Sequence, residues 1–217
     1  MNFEQARFNM IEQQIRPWDV LDASVLALLS SVRREDFVPA ELRTLAFTDT
    51  ELPLVGTRRA LAPRVEARLL QEMQVQRGEK VLEIGTGIGY LTAMIGHKAQ
   101  SVVSLEADPA LAKAAAEKLR RAGLSNVQVR EADGRQGAPG EAPFDVIVLA
   151  GSVAELPQVL LDQLKVGGRL LGIVGEEPMM RAVQVRRVSE KEFQTTELFD
   201  TVAQRLPGFE SRPAFTF

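Results

Sequence analysis

The chain has 217 residues, 45% of them hydrophobic and 25% charged, with a formal net charge of −3. That length suits one domain, or one domain with a small appendage, and buries enough surface to fold without a disulfide or metal staple. It carries no cysteine and a single histidine, His97, which excludes disulfides, cysteine-ligated metal, thiol nucleophiles and any multi-histidine site built from one chain.

Any catalysis must then use carboxylates, hydroxyls, backbone groups or an organic cofactor, and no metal is expected. The acidic balance argues against general nucleic-acid binding. The opening MNFEQARFNMIEQQIRPW is polar and charged, unlike a signal peptide. No run approaches the ~18 apolar residues of a membrane span. The expectation is a cytoplasmic protein without a nucleic-acid or membrane partner.

Phe3 to Ile15 reads as a weakly amphipathic helix ended by Pro17. Leu21, Val25, Leu28, Leu29 and Val32 fall on one helical face. A short helix is expected after Pro39. Leu52 to Ala62 has no periodicity and contains Pro53 and Gly56, so it reads as a loop. Pro63 suits a helix start, and Val65, Leu69 and Met73 continue that helix. Residues 1–62 form an expected N-terminal helical segment, and 63–217 an α/β unit packed against it. Trp18 and Phe47 are expected to pack that segment onto the sheet, with roofing of the cofactor pocket as the other reading.

From residue 78 strands alternate with helices. Val81–Ile84, Val102–Leu105, Val127–Val129, Val146–Leu149 and Leu170–Val174 read as strands. Helices are expected at Gly89–Ile95, Pro109–Ala122 and Pro157–Leu164, with Gly167-Gly168 turning into the fifth strand. His97 sits at a helix end, where a surface role is expected. Val183, Val185 and Phe193 suggest antiparallel strands at a sheet edge. This alternation predicts a mainly parallel, doubly wound sheet.

The most informative stretch is Val81-Leu82-Glu83-Ile84-Gly85-Thr86-Gly87-Ile88-Gly89-Tyr90. It is an apolar strand, a glycine turn, then a helix start. Glycines there let backbone approach a ligand. The third glycine of a dinucleotide fingerprint would fall at Tyr90, which disfavours a pyrophosphate site. Glu106, followed by Ala107, ends the next strand about 20 residues on, where an acid accepts hydrogen bonds from ribose hydroxyls. Asp133-Gly134 follows the third strand, where a carboxylate can meet an adenine amino group. This order of glycine turn, acid and acid fits S-adenosylmethionine, with S-adenosylhomocysteine as product. A Tyr-x-x-x-Lys pair is absent, because Tyr90 is followed four residues on by Met94. The Asn/Asp-Pro-Pro-aromatic motif of adenine-N6 methylation is replaced by Leu149-Ala150-Gly151-Ser152. Cytosine-C5 methylation needs the missing cysteine.

These residues together resemble the protein-L-isoaspartate (D-aspartate) O-methyltransferases. The resemblance runs through Met10-Ile11-Glu12-Gln13-Gln14-Ile15-Arg16, Val32-Arg33-Arg34-Glu35-Asp36-Phe37-Val38-Pro39, Leu45-Ala46-Phe47-Thr48-Asp49 and Leu52-Pro53-Leu54. It continues through the glycine turn, Asp133-Gly134, Ala142-Pro143-Phe144-Asp145, Gly167-Gly168 and Val174-Gly175. It implies a Rossmann-like, seven-stranded S-adenosylmethionine-dependent methyltransferase fold. It also implies methyl transfer to isoaspartyl carboxyls in damaged proteins or peptides. Glu83, Gly85, Thr86, Gly87, Gly89, Tyr90, Glu106, Ala107, Asp133 and Gly134 are the expected cofactor residues.

The acceptor half departs from the family. Its G-x-x-T-x-S-x-P loop carries Arg59 at the Thr position and Leu61 at the Ser position. Thr57 is the hydroxyl nearby, and Arg58 and Arg59 add two cations. Thr57, Arg58, Arg59 and Leu61 are the expected acceptor-loop residues, an arginine there being able to clamp an anion. The family's R-F-V-P-L is replaced by Ala203-Gln204-Arg205-Leu206-Pro207. Two alternatives stay open: a changed acceptor, such as a small anion or another protein carboxyl, and a non-catalytic scaffold.

Overall fold

The runs Val81–Ile84, Val102–Leu105 and Val146–Leu149 are buried on both faces, which suits a parallel sheet covered on both sides. The computed structural model describes residues 1–210, so the last seven residues of the expected α/β unit lie outside the described residues. The sheet contains β3 (Lys80–Ile84), β4 (Ser101–Glu106), β5 (Val127–Glu131), β6 (Phe144–Val153), β7 (Leu164–Glu176), β8 (Met179–Arg187) and β9 (Phe193–Asp200). Their order is β5-β4-β3-β6-β7-β8-β9. The pairings from β5 to β7 are parallel, and β8 and β9 return antiparallel.

Alternation along β3 divides the core. Val81 packs with Val102, Val146 and Leu171 on the face that also buries Met94, Ala115 and Leu119. Leu82 and Ile84 join Val103, Leu105, Ile147 and Leu149 on the other face, with Leu160 and Leu206. The chain runs outward from β3 to β5, then returns to add β6 on the other side of β3. Such a reversal leaves a crevice at the carboxyl ends of the two strands, the usual ligand position in open α/β sheets.

The covering helices on the first face are α3 (Pro63–Met73), α4 (Tyr90–Lys98) and α5 (Pro109–Arg121). Pro63 opens α3, where a missing N–H costs nothing, and Val65, Leu69 and Met73 are buried as expected. Asp108 caps α5 by accepting from the amides of Ala110 and Leu111, and Gly123 stops it at φ +79°. His97 is exposed in the last turn of α4.

The first helix is shorter than its periodicity suggests. α1 (Phe3–Met10) widens into a π turn at Ile11–Ile15 and tightens into a 3-10 turn at Arg16–Trp18. Pro17 has no N–H to continue the ladder. α2 (Ala23–Ser31) follows, capped by Asp22. The segment after Pro39 is a 3-10 turn, Ala40–Leu45. Trp18 packs edge-on against Phe199 of β9 at 5.9 Å, and Phe47 meets Phe3 at 5.7 Å, both in packing roles.

Two further expectations need correction. Leu52–Ala62 is not all loop: β1 (Leu52–Pro53) pairs with β2 (Arg59–Ala60). A two-residue ladder is too short to leave a periodic signature. The helix expected over Pro157–Leu164 is α6, only Gln158–Leu161. It ends because Gln163 and Leu164 are drawn into the sheet. Phe144 N–H donates to the Gln163 carbonyl at 2.8 Å, and Leu164 pairs with Phe144. β7 thus begins before Gly167-Gly168, and the register shifts between Phe144 and Val146.

Candidate functional site

β3 ends at Ile84 and the chain must turn into α4 within five residues. Gly85, Gly87 and Gly89 all take positive φ there, +94°, +54° and +84°. An L side chain is strained in that region, so the three glycines follow from the path of the turn. Their surroundings separate their roles. A Cβ on Gly87 would have nothing nearer than its own turn, Gly85 O at 4.0 Å, which leaves this backbone open to a ligand. A Cβ on Gly89 would meet that of Ala115 at 3.3 Å, so Gly89 brings α4 and α5 together.

Glu106 ends β4 with its side chain fully buried. Its Oε2 accepts from the Gly87 amide at 2.9 Å, and Oε1 from the Asp108 amide at 3.1 Å. The carboxylate therefore stands directly beside the open glycine turn. Arg58 reaches it from the β1–β2 hairpin: its Nη2 lies 2.9 Å from Oε1.

Arg58 and Leu206 separate two adjoining cavities at this crevice, and both residues line each of them. One, of about 30 Å³, is bounded by the acceptor loop, the glycine turn, Ala150 and Gln204–Leu206. The other, of about 10 Å³, is bounded by Glu106, Ala107, Gly134 and Phe209. Leu206 is held in place by backbone pairing. Ser152 donates its amide to the Gln204 carbonyl at 2.8 Å, and the Leu206 amide donates to the Ser152 carbonyl at 2.9 Å. The C-terminal segment thus extends along the end of β6 and roofs the crevice. A Cβ on Gly85 would lie 2.7 Å from Leu206 Cδ2. Gln204 also donates its side-chain amide to the Thr57 carbonyl, tying this roof to the hairpin tip.

Behind the acceptor loop lies a buried ion pair. Arg34, with no exposed surface, donates Nε to Glu66 Oε2 at 3.0 Å. Its two other nitrogens donate to the carbonyls of Ala46 and Leu61, each at 2.8 Å. Its guanidinium also stands 5.7 Å from the Tyr90 ring centre. Glu66 lines the larger cavity, and burial pushes its carboxyl up to about 7 against the pull of Arg34.

The structure brings most of the expected residues together. Arg58, Arg59, Leu61, Gly85, Thr86 and Gly87 line the larger cavity, and Glu106, Ala107 and Gly134 the smaller. The others stand apart from both. Glu83 sits under the turn, its Oε2 accepting from the hydroxyls of Thr92 at 2.5 Å and Ser104 at 2.6 Å. Burial pushes that carboxyl up to about 7. Tyr90 is fully buried against Phe37, with ring centres 5.8 Å apart. Gly89 packs against α5. Asp133 pairs with Arg135, whose side chain holds its carboxyl below the usual range. Thr57 offers its carbonyl to Gln204 rather than its hydroxyl to either cavity.

Arg34, Glu66, Gln204, Arg205 and Leu206 were not expected at the site. Glu66 did carry a signal: it shares a helical face with Leu70 and Met73, where a carboxylate must be partnered or face a cavity.

Residues 5–203 match the family described as Protein-L-isoaspartate(D-aspartate) O-methyltransferase. A Rhodopseudomonas palustris protein-L-isoaspartate O-methyltransferase 1 is 40% identical, over 96% of this chain and 86% of its own length. A Brucella anthropi protein-L-isoaspartate O-methyltransferase is 36% identical over 98% of both. A Plasmodium falciparum crystal structure, assigned to the same enzyme and solved with S-adenosyl-L-homocysteine, superposes with a TM-score of 0.78 at 20% identity. That superposition covers 95% of this chain and 98% of the other, and it establishes the methyltransferase fold. With a family match over nearly its whole length and relatives at these identities, this chain belongs to the protein-L-isoaspartate(D-aspartate) O-methyltransferase family.

Proposed function

We propose that this chain transfers a methyl group from S-adenosylmethionine to the carboxylate of isoaspartyl residues in damaged proteins and peptides. The observation that carries this reading is the buried Glu106 carboxylate beside the open Gly87 turn, adjoining a cavity lined by three arginines. The residues present suit the cofactor. Glu106 is a carboxylate of the kind that accepts from ribose hydroxyls, and it borders the smaller cavity. Gly87 leaves backbone space above the turn. The relatives' names support the isoaspartyl acceptor, and the Plasmodium falciparum structure, solved with S-adenosyl-L-homocysteine, supports an S-adenosyl nucleoside.

When bound, S-adenosylmethionine supplies an electrophilic methyl group. The protein's part is to position. An acceptor carboxylate ordinarily titrates near pH ~4 and is already ionised at neutral pH, so no side chain need remove a proton. Arg58, Arg59 and Arg205 line the larger cavity; Arg58 is paired with Glu106, Arg205 with Glu176 and the lining carboxylate Glu66 with Arg34, so Arg59 is the cation of that lining outside these pairs. That imbalance favours an anionic acceptor. Guanidinium groups can hold a carboxylate in a fixed orientation, which is where most of the rate must arise. Leu61, Ile88, Leu91 and Leu206 wall the cavity against water. The same imbalance, with Arg59 and Leu61 where the family has Thr and Ser, supports a second reading in which the acceptor is a small dianion.

No described helix is long and apolar enough to cross a membrane, and a soluble, cytoplasmic setting is part of the proposal. The test is a labelled-methyl assay on two peptides that differ only in an isoaspartyl or aspartyl linkage. The expected result is a base-labile methyl ester on the isoaspartyl peptide alone. Labelling of neither peptide, with turnover on a small dicarboxylate, would move the assignment to the second reading.

A further inference from the structure

The hairpin that carries Arg58 is short, and its tip is tied to the roof by one side-chain bond, from Gln204 to the Thr57 carbonyl. Its ladder has only two pairs, Leu52 with Ala60 and Pro53 with Arg59. The tip beyond it is a turn closed by Arg58 N–H on the Val55 carbonyl at 3.1 Å. Gly56 at the tip takes φ +62° and has no atom within 4 Å of a would-be Cβ, so the tip projects into open space. From that projection Arg58 reaches back across the crevice to a fully buried carboxylate.

Glu106 has room for one more donor there. A carboxylate has about four lone-pair directions. Two are taken by the amides of Gly87 and Asp108, and Arg58 takes a further position on Oε1. Both hydroxyls of a ribose cannot then be accepted while Arg58 stays. Once released, Arg58 finds no free carboxylate among the residues lining the larger cavity, because Glu66 is bonded to Arg34. It would enter a space already lined by Arg59, and by Arg205 paired with Glu176, where an incoming anion would supply counter-charge.

We propose that Arg58 is a latch coupling the two halves of the site. Without a nucleoside it holds Glu106, and when the nucleoside takes Glu106 the freed guanidinium receives the acceptor's carboxylate. Arg58 is then a specificity residue whose readiness depends on cofactor occupancy. Binding is ordered, with the nucleoside first. This rests on the S-adenosylmethionine reading above.

The test is calorimetric titration of S-adenosylhomocysteine into the wild-type chain and into Arg58→Ala. Removing a charged competitor for one carboxylate should tighten binding at least about tenfold, the scale of one charge-assisted contact. An isoaspartyl peptide should bind the wild type more tightly when S-adenosylhomocysteine is present. In Arg58→Ala its affinity should fall and cease to depend on the nucleoside. Thermal melting gives a second measurement. Arg58→Ala leaves Glu106 buried without its cation, so the free protein should melt lower and the ligand-induced rise should be larger than in the wild type.

The outcomes separate the two claims. If the wild type binds and Arg58→Ala binds equally or more weakly, the latch is wrong and the cofactor reading stands. If only Arg58→Ala binds, the latch is confirmed in its closed extreme. If neither binds at millimolar ligand, the cofactor reading fails and the latch fails with it.

Discussion

Glu106→Ala is expected to weaken S-adenosylhomocysteine binding by about two to four orders of magnitude. The side chain is the buried acid at the end of β4, and alanine cannot accept from a ribose. Two hydrogen bonds to a charged acceptor contribute about 1.5–3 kcal/mol each, and each 1.4 kcal/mol is about tenfold in affinity. The substitution also strips the Gly87 and Asp108 amides of their acceptor and leaves Arg58 unpaired. Glu106→Gln keeps the shape and one acceptor oxygen, so its loss should be smaller. Calorimetry reads both, and a melting curve of each variant separates lost binding from lost folding. Wild-type affinity in Glu106→Ala would remove Glu106 from the site.

The second large effect falls on stability. Arg34→Met should destabilise the chain by about 3–5 kcal/mol, measured as a lower urea midpoint. Arg34 is fully buried and serves Glu66, Ala46 and Leu61 at once. Its removal leaves a buried carboxylate without its cation and two carbonyls without a donor. Desolvation already pushes Glu66 up, and without Arg34 nothing opposes that push. The double variant Arg34→Met, Glu66→Leu removes both charges, so it should recover much of the loss. Breaking a buried pair costs more than replacing it with apolar groups of similar volume. A double variant as unstable as the sum of its parts would show that the pair is not the unit of stabilisation. Leu61 ties this effect to function, because the carbonyl that Arg34 holds belongs to the acceptor loop.

The glycine turn proposed to hold the cofactor was legible because it is local. A strand, three glycines and a helix start occupy Val81–Tyr90, and the turn they must make fixes positive φ at Gly85, Gly87 and Gly89. Glu106 was legible for the same reason, since an acid ending the next strand falls at the same edge of a parallel sheet. Five strands followed from apolar runs, the antiparallel edge from the alternation at Val183, Val185 and Phe193, and the count of seven from the family resemblance. What escaped the sequence depends on which distant segments meet. Arg58 and Glu106 are far apart in the chain, and no periodicity links them. Arg34 and Glu66 read as ordinary charges until burial pairs them. Asp133 stands in the order expected for an adenine contact and is paired with Arg135 in the same turn. α6 was shortened by the pairing of Phe144 with Leu164, a tertiary demand that local helix pattern does not carry. The roof formed by Gln204–Leu206 on Ser152 is likewise a pairing of segments distant in sequence.

The most direct measurement of the central claim is a crystal structure of the chain with S-adenosylhomocysteine bound. The account predicts the nucleoside over the Gly85–Gly87 turn, its ribose on Glu106, and Arg58 withdrawn from that carboxylate into the larger cavity. A nucleoside bound elsewhere, or bound with the Arg58–Glu106 pair intact, would contradict it.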